Sequence, residues 1–503
     1  MFKRALVSVS DKTGLVDFLR PWVQRGLVVY STGGTAEHLR QHQIPVKDVS
    51  ELTQFPEVLD GRVKTLHPHV HMSLLAKRDN LQHQQTLKEY NLELFDLVVC
   101  NLYPFEEAVL NNLKESELIE KIDIGGPTQL RAAAKNYQFM TVLSDPADYP
   151  FFAERTPNLE ERKKLAGKVF QRISIYDQMI AKKLLGEDPV FYTEGGYLHQ
   201  RLRYGENPHQ QAFWYREAGQ AKGWHQAHIH QGKELSYNNL LDLDAAVLAL
   251  RLFATDKFSG VIVKHNNPCA MATAGNGSEM LQKLLLCDPV SMFGGIVAIN
   301  QTVDEKMATR LSEIFLECVV APHFETEALA VFNKKKNVRI LEWKDLLDQH
   351  KSNKMVPIAG GFLVQEPDSL VASWSSGLDD ANFSKQQIAD LHFAEAAAAA
   401  LKSNAIAVVR NGMTLGLGMG QTNRVDATAQ ALKRAQEFHG SLEGAVLASD
   451  AFFPFADSIK IIAEAGIRLV LQPGGSIKDE EVIVAAKSLG VKMIMTGRRH
   501  FRH

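Results

Sequence analysis

The feature that most constrains the fold is an alternation of strand-like and helix-like segments over the first 145 residues. Short apolar runs at 4–9, 27–30, 96–100 and 140–143 are separated by stretches in which apolar residues recur at helical spacing. This alternation is typical of parallel β-sheets, because two parallel strands must be joined by a crossover, usually a helix. We therefore expect a parallel α/β domain over residues 1–145.

Loops rich in small and hydroxyl-bearing residues follow the first two predicted strands. They contain Ser10, Asp11 and Lys12 after the first strand and Thr32, Gly33, Gly34 and Thr35 after the second. Backbone N–H groups, hydroxyls and a lysine at such positions favour anion binding. Either loop alone could be an ordinary helix cap, but two of them on neighbouring strands indicate a phosphate pocket. Neither has the spacing of a P-loop, so nucleotide hydrolysis is not indicated.

Other polar side chains of this domain are suited to acid–base chemistry. Lys64, Tyr103, Asp123 and Lys135 form a plausible acid–base and oxyanion group that needs no metal. Tyr103 follows the third predicted strand, at the sheet edge where α/β proteins bind ligands. The sequence leaves open an alternative, in which Asp123 caps a helix and Lys135 is a solvated helix end.

The middle of the chain indicates a boundary between two regions. At roughly 150 residues per domain, a chain of 503 residues suggests about three units. Residues 151–190 are rich in charge at helical spacing, which is typical of a solvated helix face, and Gly195–Gly196 then interrupts the pattern. We therefore expect a helical connector over 146–199 and a second region over 200–503.

A Lys–His pair in the second region indicates a catalytic site, although a single histidine is more often structural. Lys264 and His265 follow a short apolar strand and precede Asn266–Asn267–Pro268–Cys269. A histidine there could act as a general base near neutral pH, and a neighbouring lysine could stabilise a developing oxyanion. The segment superficially resembles the zinc-deaminase signature, but Asn267 stands where that signature needs a glutamate and its second cysteine is missing. A zinc site is therefore not expected.

The last hundred residues have the order hairpin, helix, strand, helix, strand, which resembles a deaminase-like α/β layer. The aromatic cluster at 452–455 could line a pocket for a flat heterocycle or could pack in the core. The stretch 287–295 is weakly similar to 449–457, which suggests a duplicated subdomain.

Composition excludes several classes of protein. The net charge of −2 gives no sign of nucleic acid or an anionic membrane as a partner. No apolar run is long enough to cross a bilayer, and the four cysteines are sparse and unpaired in the sequence, as in reduced cytosolic proteins. We expect a cytoplasmic enzyme that acts on a small substrate.

Ten ordered motifs carry a family resemblance that covers nearly the whole chain. They are SVSDKTG, STGGTA, GRVKTLHP, CNLYPF, DIGGPTQLRAAAKN, RYGENPHQ, KHNNPC, SMFGG, SDAFFPF and QPGGSIKDEE. In this order they resemble the bifunctional purine biosynthesis proteins, which combine 5-aminoimidazole-4-carboxamide ribonucleotide (AICAR) formyltransferase with inosine monophosphate (IMP) cyclohydrolase. The resemblance implies a methylglyoxal-synthase-like parallel-sheet domain for cyclisation and tandem deaminase-like α/β subdomains for formyl transfer. It also implies a homodimer with the transferase site at its interface.

The resemblance also assigns residues to the two sites. In the first domain it implies nucleotide contacts by Ser10, Asp11, Lys12, Thr32, Gly33, Gly34, Thr35, Arg62, Val63, Lys64 and Thr65, base contacts by Asn101, Tyr103, Asp123 and Ile124, and proton handling by Lys135. In the second region it implies AICAR contacts by Arg203, Tyr204, Asn239, Phe293, Gly294, Asn404 and Arg424, a catalytic pair Lys264–His265, and further contributions, some on the folate side, from Phe452, Asp457, Ser476 and Arg499. The residues that depart from the family pattern are Asn266, Ala270, Thr422, Asn423 and Ala456.

The implied chemistry uses 10-formyltetrahydrofolate as co-substrate and no redox cofactor or catalytic metal. His265 would take the proton of the AICAR amine, and Lys264 would stabilise the oxyanion or protonate the folate nitrogen. The carboxamide of formyl-AICAR would then attack the new formyl group, and water would be lost. The alternatives are a non-catalytic phosphometabolite sensor and a zinc-type deaminase or hydrolase.

Overall fold

A computed structural model of the chain describes residues 1–59, 62–186, 190–254, 257–348, 353–370, 374 and 383–503. The chain divides into two compact units. The first comprises Met1–Leu198 and Tyr215–Ala221, and the second comprises His199–Trp214 and Lys222–His503. Among the described residues, no helix is long and apolar enough to cross a membrane.

The described residues of the first unit form a five-stranded sheet in the order β3-β2-β1-β4-β5. Its strands are β1 (Arg4–Ser8), β2 (Val28–Ser31), β3 (Lys47–Asp48), β4 (Leu97–Cys100) and β5 (Thr141–Leu143). Each neighbouring pair is parallel. Strand β4 is buried throughout, as expected where helices cover both faces. The predicted parallel α/β fold is confirmed, and the carboxyl ends of β1, β2 and β4 meet at one edge.

Helices connect these strands and cover the sheet. They are α1 (Leu15–Gln24), α2 (Gly33–Gln41), α3 (Val49–Thr53), α4 (Pro68–Leu75), α5 (Leu81–Glu89), α6 (Phe105–Leu110), α7 (Glu115–Ile119), α8 (Gly125–Lys135), α9 (Tyr149–Phe152) and α10 (Leu159–Leu185).

Helix α10 belongs to the first unit, although the charge pattern predicted a connector there. It starts at a capping box in which Asn158 and Glu161 each accept the other's backbone N–H, at 2.9 and 2.8 Å. One face is charged and solvated, while Val169, Ile173 and Tyr176 on the other face are buried. That buried face packs against α8 and β5. The run of charged residues therefore predicts the solvated face of α10 but not its buried face.

A short return of the chain completes the first unit. The strand β6 (Gly196–Leu202) pairs with β7 (Ala212–Glu217). Arg216 donates to the Glu106 carboxylate at 2.7 Å, and the same carboxylate accepts the Gly219 N–H at 3.0 Å. Ala218 is buried nearby. The chain therefore leaves the first unit near the expected boundary at 190–200, returns to it at Tyr215 and leaves it again after Ala221, so the two units are not separated by a single boundary in the sequence.

The described residues of the second unit form an eleven-stranded mixed sheet in the order β20-β19-β18-β16-β17-β10-β9-β11-β12-β13-β8. Its strands are β8 (His228–Gln231), β9 (Phe258–Lys264), β10 (Asn267–Ala274), β11 (Gly295–Ile299), β12 (Leu316–Ala321), β13 (Arg339–Glu342), β16 (Ile406–Arg410), β17 (Met413–Gly418), β18 (Val446–Ser449), β19 (Leu469–Gln472) and β20 (Lys492–Met495). A separate ribbon pairs β14 (Lys354–Ile358) with β15 (Gly361–Gln365).

This unit is built from two repeats of one topology, which confirms the predicted tandem arrangement. Each repeat has a helix, an antiparallel hairpin, and then alternating helices and parallel strands. The helices of the first repeat are α11 (Tyr237–Arg251), α12 (Gly277–Cys287), α13 (Glu305–Ser312) and α14 (Thr326–Phe332). Those of the second are α15 (Lys385–Ala400), α16 (Arg424–His439), α17 (Asp457–Glu464) and α18 (Asp479–Ser488). The second strands of the two hairpins, β10 and β17, pair with each other at Ala272 and Met413, and this pairing joins the two repeats into one sheet.

The predicted match between 287–295 and 449–457 is wrong in its details. By topology β11 corresponds to β18, since each lies antiparallel to the first strand of its hairpin. The stretch 287–295 precedes β11, whereas 449–457 follows β18. The two segments lie at opposite ends of equivalent strands, so their shared small and aromatic residues do not reflect the duplication.

Candidate functional site

The polar edge of the first sheet encloses a cavity of about 590 Å³. It lies where the carboxyl ends of β1, β2 and β4 meet, because all three strands run in the same direction. The predicted site residues that line it are Ser10, Lys12, Thr32, Gly33, Gly34, Thr35, Arg62, Lys64, Thr65, Asn101, Tyr103, Asp123 and Ile124. The two loops of the predicted phosphate pocket therefore share one cavity with three members of the predicted acid–base group, Lys64, Tyr103 and Asp123.

Asn101 holds the loop after β1 in place. Its Oδ1 accepts the backbone N–H groups of Ser10 and Asp11 at 2.7 and 3.0 Å, and its Nδ2 donates to the Asp11 carbonyl at 2.8 Å. Thr35 ties the α2 start to the same loop, because its Oγ1 accepts from the Val9 N–H and donates to the Val9 carbonyl. Both side chains thus shape the cavity wall.

Cationic side chains and helix N-termini make the cavity suitable for an anion. Lys12, Arg62 and Lys64 line it, as do the first turns of α2 and α8. Arg62 pairs with Glu120 and Lys64 with Glu57. A side chain at Gly33 would place its Cβ 2.8 Å from Lys64 Nζ, and the Gly33 φ of +49° also favours glycine. The glycine thus lets a cation lie against the α2 N-terminus.

Asp123 occupies a half-buried position beside the N-terminus of α8. Its carboxylate accepts the Gly126 N–H at 2.8 Å, and burial raises the pKa of this carboxyl. Tyr176 on α10 fixes the same segment, since its Oη accepts the Asp123 N–H at 2.7 Å and donates to the Lys121 carbonyl at 2.9 Å. Helical spacing of buried residues in α10 was the available signal for Tyr176, which the charge run obscured.

Three predicted residues of the first unit lie away from the cavity lining. Lys135 is the last residue of α8 and is exposed, about 15 Å along the helix axis from Gly125 at a rise of ~1.5 Å per residue. Hydrogen bonds from the Thr13 side chain and from the Thr13 N–H, the latter at 2.9 Å, lower the pKa of the Asp11 carboxyl. Val63 lines a neighbouring cavity of about 420 Å³. Gly61 of the same predicted loop lies outside the described residues.

The main cavity is also lined by residues to which the sequence analysis gave no role, among them Glu120 and Gln129. Glu120 pairs with Arg62 at the rim. Gln129 is buried in α8, one turn after Gly125, and its Nε2 donates to Thr65 Oγ1 at 2.7 Å. The spacing of Gln129 from the DIGG motif on a helix was the signal that could have identified it.

In the second unit, Lys264 and His265 lie at the end of β9. Strand β9 runs antiparallel to β11, so its last residue meets the segment that precedes β11. Lys264 Nζ accordingly donates to the Phe293 carbonyl at 2.7 Å. His265 is exposed in the turn to β10, and its carbonyl accepts from Asn267 Nδ2 at 3.1 Å. The structure thus brings Lys264, His265, Phe293 and Gly294 into one neighbourhood.

The other predicted residues of the first repeat have local roles. Asn239 is buried in the first turn of α11 and forms a capping box with Ser236 at 3.1 Å. The Arg203 guanidinium lies 5.5 Å from the centre of the Tyr204 ring.

Arg424 and Asn404 belong to a buried polar network of the second repeat. The Arg424 guanidinium pairs with the fully buried Asp450 carboxylate and donates to Ser449 Oγ at 2.7 Å. Its other terminal nitrogen donates to Asn404 Oδ1 at 2.7 Å. The family resemblance assigns roles to Arg424 and Asn404 but none to Asp450, although Asp450 belongs to the SDAFFPF motif. The Asp450 carboxylate satisfies the buried charge of Arg424.

The carboxyl ends of β18, β19 and β20 collect the remaining predicted residues. Phe452 is half-buried after β18, Asp457 starts α17, Ser476 follows β19 and Arg499 follows β20. These three strands are parallel, so their ends share one edge. The aromatic cluster at 452–455 is divided, since Phe453 packs in the core whereas Phe455 is exposed. The core-packing interpretation is confirmed for Phe453, and the pocket interpretation stays a prediction for Phe452 and Phe455.

The thiols lie in apolar surroundings. Burial raises the pKa of Cys269 to about 12 and of Cys287 to about 11, and it raises those of Cys100 and Cys318 as well. Among the residues that the structure describes, no group of three or more His, Cys, Asp or Glu side chains is arranged to hold a metal ion.

His500 forms a buried ion cluster near the end of the chain. Its Nδ1 lies 2.7 Å from Asp368 Oδ2, and its Nε2 lies 3.6 Å from Glu395 Oε1. Burial alone would lower the pKa of His500, but the hydrogen bond to Asp368 and the charge of Glu395 outweigh it and raise the pKa to about 9. The imidazole is therefore a cation at neutral pH.

We predict that this cluster stabilises the protein below neutral pH and loses its effect in alkali. The unfolded pKa is ~6.5, so the contribution is complete below that pH, amounts to about 3 kcal/mol, and disappears as pH rises through 9. Thermal unfolding of His500→Gln and wild type should therefore differ most at pH 6 and converge near pH 10. Replacement of the exposed His209 by Gln is the control. A His500→Gln deficit that grows with pH would contradict the prediction.

Comparisons with known proteins cover both units. A family model described as AICARFT/IMPCHase bienzyme matches residues 133–434, and an MGS-like domain model matches residues 14–128. A protein of Prochlorococcus marinus (strain MIT 9515) named "Bifunctional purine biosynthesis protein PurH" is 45% identical over 518 residues, which cover 99% of each chain. A protein of the same name from Caldicellulosiruptor saccharolyticus is 44% identical over 521 residues, with 100% of each chain covered. Among solved structures, the crystal structure of ForH has 32% identity and a TM-score of 0.32, and the match covers 36% of this chain and 95% of that one.

Proposed function

Because the chain belongs to the family of AICARFT/IMPCHase bienzymes, we infer that it catalyses the last two steps of IMP synthesis, formyl transfer to AICAR and cyclisation of formyl-AICAR. It is a bifunctional purine biosynthesis enzyme, and its transferase reaction requires a formyl-folate co-substrate. The observation that carries this conclusion is full-length identity of 45% to a protein of that name. Neither the sensor nor the zinc hydrolase alternative has comparable support.

We propose that cyclisation takes place in the cavity of the first unit. The nucleotide phosphate would lie against Lys12 and the α2 N-terminus, where N–H groups and cations line the wall. The carboxamide nitrogen would attack the formyl carbon, and Asp123 would accept the proton that this nitrogen loses. Lys64 and Tyr103 would stabilise the oxygen that becomes negative. That oxygen would then take the proton held by Asp123 and a second proton from the formylated amine nitrogen, and it would leave as water as the C–O bond breaks and the ring C=N bond forms. The convergence of these groups on one cavity supports the proposal.

Lys135 is the weakest member of the proposed proton-handling group. It lies at the far end of α8 from the cavity, and its distance argues against direct contact with a nucleotide bound there. The resemblance implies nucleotide contacts by Asp11 and Val63. We propose instead that they shape neighbouring loop segments, since Asp11 caps a turn and Val63 lines the adjacent cavity.

We propose that Lys264 and His265 catalyse formyl transfer from 10-formyltetrahydrofolate. The AICAR amine is conjugated with its ring and is a weak nucleophile, so positioning it against the formyl carbon is essential. His265 would take the amine proton as the new C–N bond forms, and Lys264 would stabilise the oxyanion. As the tetrahedral intermediate collapses, the bond between the formyl carbon and the folate nitrogen would break, and that nitrogen would take the proton that His265 had accepted from the amine. The Phe293 carbonyl, 2.7 Å from Lys264 Nζ, supports this role because it orients the ammonium group.

The remaining assignments of the second unit stay proposals. AICAR contacts are assigned to Arg203, Tyr204, Asn239, Phe293, Gly294, Asn404 and Arg424, and further contacts, some with folate, to Phe452, Asp457, Ser476 and Arg499. The ion pair with Asp450 suggests that Arg424 acts partly through Asn404, whose Oδ1 it holds. We retain 1–145 as the cyclohydrolase domain, 146–199 as a connector in sequence and 200–503 as the transferase region.

The exposed ribbon β14–β15 supports the proposed homodimer. Met355, Ile358, Phe362 and Leu363 are each 45–59% exposed. A two-stranded ribbon alone is marginally stable in water, and a large exposed apolar patch marks an interaction surface. We expect light scattering to give twice the mass of one chain and the double substitution Phe362→Asp, Leu363→Asp to shift the protein towards monomer. A monomeric wild type at micromolar concentration would contradict this proposal.

We also propose a cytoplasmic location and no nucleic-acid or membrane partner, in keeping with the net charge of −2 and unpaired cysteines.

The direct test of function is an absorbance assay for IMP formation from AICAR and 10-formyltetrahydrofolate. Turnover is the expected result. A sensor would bind the nucleotide without turnover, and a zinc hydrolase would lose its activity in chelator.

A further inference from the structure

The turn that carries His265 has an unusual backbone for its sequence. His265 and Asn266 have φ values of +54° and +61°, and Lys264 pairs with Asn267 across them. A two-residue turn with both φ values positive is the standard connection of a tight hairpin, but it favours Asn-Gly over His-Asn. Holding a histidine in this region of φ costs energy that the surroundings must supply.

Asp242 of α11 accepts hydrogen bonds that hold the turn in this conformation. Its Oδ1 accepts the Asn266 N–H at 2.5 Å, and the same carboxylate accepts the His265 N–H. Both N–H groups of the turn are thus held by one side chain, which is half-buried. Charge-assisted hydrogen bonds of this type are stronger than neutral ones. The carboxylate also lies within electrostatic range of the His265 ring.

The second repeat contains the same device without the histidine. Asn411 and Gly412, with φ values of +54° and +70°, form the equivalent turn between β16 and β17. Asp390 of α15 accepts the N–H groups of both residues, at 2.8 and 2.7 Å. Helix α15 precedes its hairpin as α11 precedes β9 and β10. The clamp is therefore a feature of the repeat, and in the first repeat it holds a turn with a reactive side chain.

We propose that Asp242 is a positioning residue for formyl transfer, because it clamps the His265–Asn266 turn so that the imidazole faces the reacting amine. This inference rests on the proposed role of His265. It assigns a task to a residue to which the family resemblance gives no role. Asp242 lies three residues after Asn239 on α11, so one helix would hold both an AICAR contact and the turn of the general base.

The difference between the two turns explains why Asp242 matters more than its counterpart. Asn-Gly adopts positive φ at both positions with little strain, so Asp390 adds stability to a turn that is already favoured. His-Asn lacks that preference, so without Asp242 the turn would populate other conformations and the imidazole would leave its working position. A misplacement of about 1 Å is enough to lower turnover ~100-fold.

The test compares Asp242→Ala and Asp242→Asn with Asp390→Ala in the full-length protein. We expect Asp242→Ala to lower the kcat of formyl transfer by about 10- to 100-fold, with the KM for AICAR within about twofold of wild type. Asp242→Asn should recover part of that loss, since its amide oxygen still accepts one N–H. Asp390→Ala should leave kcat within about twofold even where it lowers the melting temperature, because its turn carries no reacting group.

Two outcomes would overturn the inference. One is an Asp242→Ala variant with normal kcat, and the other is an Asp390→Ala variant with the same loss of kcat as Asp242→Ala. Cyclisation of supplied formyl-AICAR, measured on the same samples, reports whether the first unit is intact, and the thermal unfolding transition together with the KM for AICAR reports whether the second unit, which carries the substitutions, is folded. A His265→Asn variant in the same series separates this inference from its premise. If that variant is fully active, the role of His265 fails, whereas an inactive His265→Asn beside a normal Asp242→Ala rejects the clamp alone.

Discussion

Replacement of His265 should abolish formyl transfer and leave cyclisation of supplied formyl-AICAR unchanged. Loss of a general base lowers turnover by about 100- to 10,000-fold, and no neighbouring group in the turn can replace an imidazole, since Lys264 is held by the Phe293 carbonyl. His265→Asn tests the role of the imidazole more specifically than His265→Ala does. Asparagine tolerates a φ of +54° better than alanine does, so the turn persists while the base is lost. The measurement is the rate of each half-reaction with its own substrate supplied.

The second repeat offers a matched control for backbone strain. Asn411 has the same φ of +54° in the equivalent turn, so Asn411→Ala introduces the same strain as His265→Ala without removing a base. We expect Asn411→Ala to retain formyl transfer. Normal transferase turnover in His265→Asn, or equal losses in His265→Ala and Asn411→Ala, would refute the catalytic assignment.

The fold was predictable where hydrophobic pattern and turn chemistry agreed. The strands of the first unit alternate with helices in the sequence, and right-handed crossovers then leave a parallel sheet as the simple solution. Helix α10 shows the limit of this reasoning. Its charges describe the solvated face, whereas burial of Val169 and Ile173 depends on a tertiary surface that periodicity alone does not reveal. The weak similarity of 287–295 to 449–457 failed for a related reason, since local composition carries no information on strand topology.

Site residues that directly follow strands were predictable from the sequence. Site residues contributed by helices that are distant in the sequence were less predictable. Ser10, Thr32 and Asn101 follow parallel strands, so sheet geometry alone brings them together. Tyr176 and Asp242 act on backbone N–H groups, and that function leaves no motif in a sequence. Lys135 shows another limit, because it belongs to the same motif as Asp123 but lies at the other end of α8, so its proposed role in proton handling stays a prediction.

Asp123→Asn should eliminate most cyclisation activity while sparing formyl transfer. The substitution keeps an oxygen that can accept the Gly126 N–H, now 2.8 Å from the carboxylate, so the start of α8 should persist. It removes the proton acceptor, and the expected loss is about 100- to 10,000-fold in kcat. Asp177→Asn is the matched control. Burial also raises the pKa of the Asp177 carboxyl, yet Asp177 does not line the 590 Å³ cavity of the first unit.

The proposed role of Asp123 also predicts the direction in which the rate of cyclisation changes with pH. Burial raises the pKa of Asp123, and only the ionised carboxylate accepts a proton. Turnover should therefore rise with pH through a pKa above the ordinary value of ~3.9 for aspartate. In Asp123→Asn this acid limb should vanish along with the activity, whereas Asp177→Asn should preserve it. An Asp123→Asn enzyme that keeps both the rate and the acid limb would show that another group accepts the proton, and it would leave Asp123 as a helix cap, the alternative that the sequence itself allows.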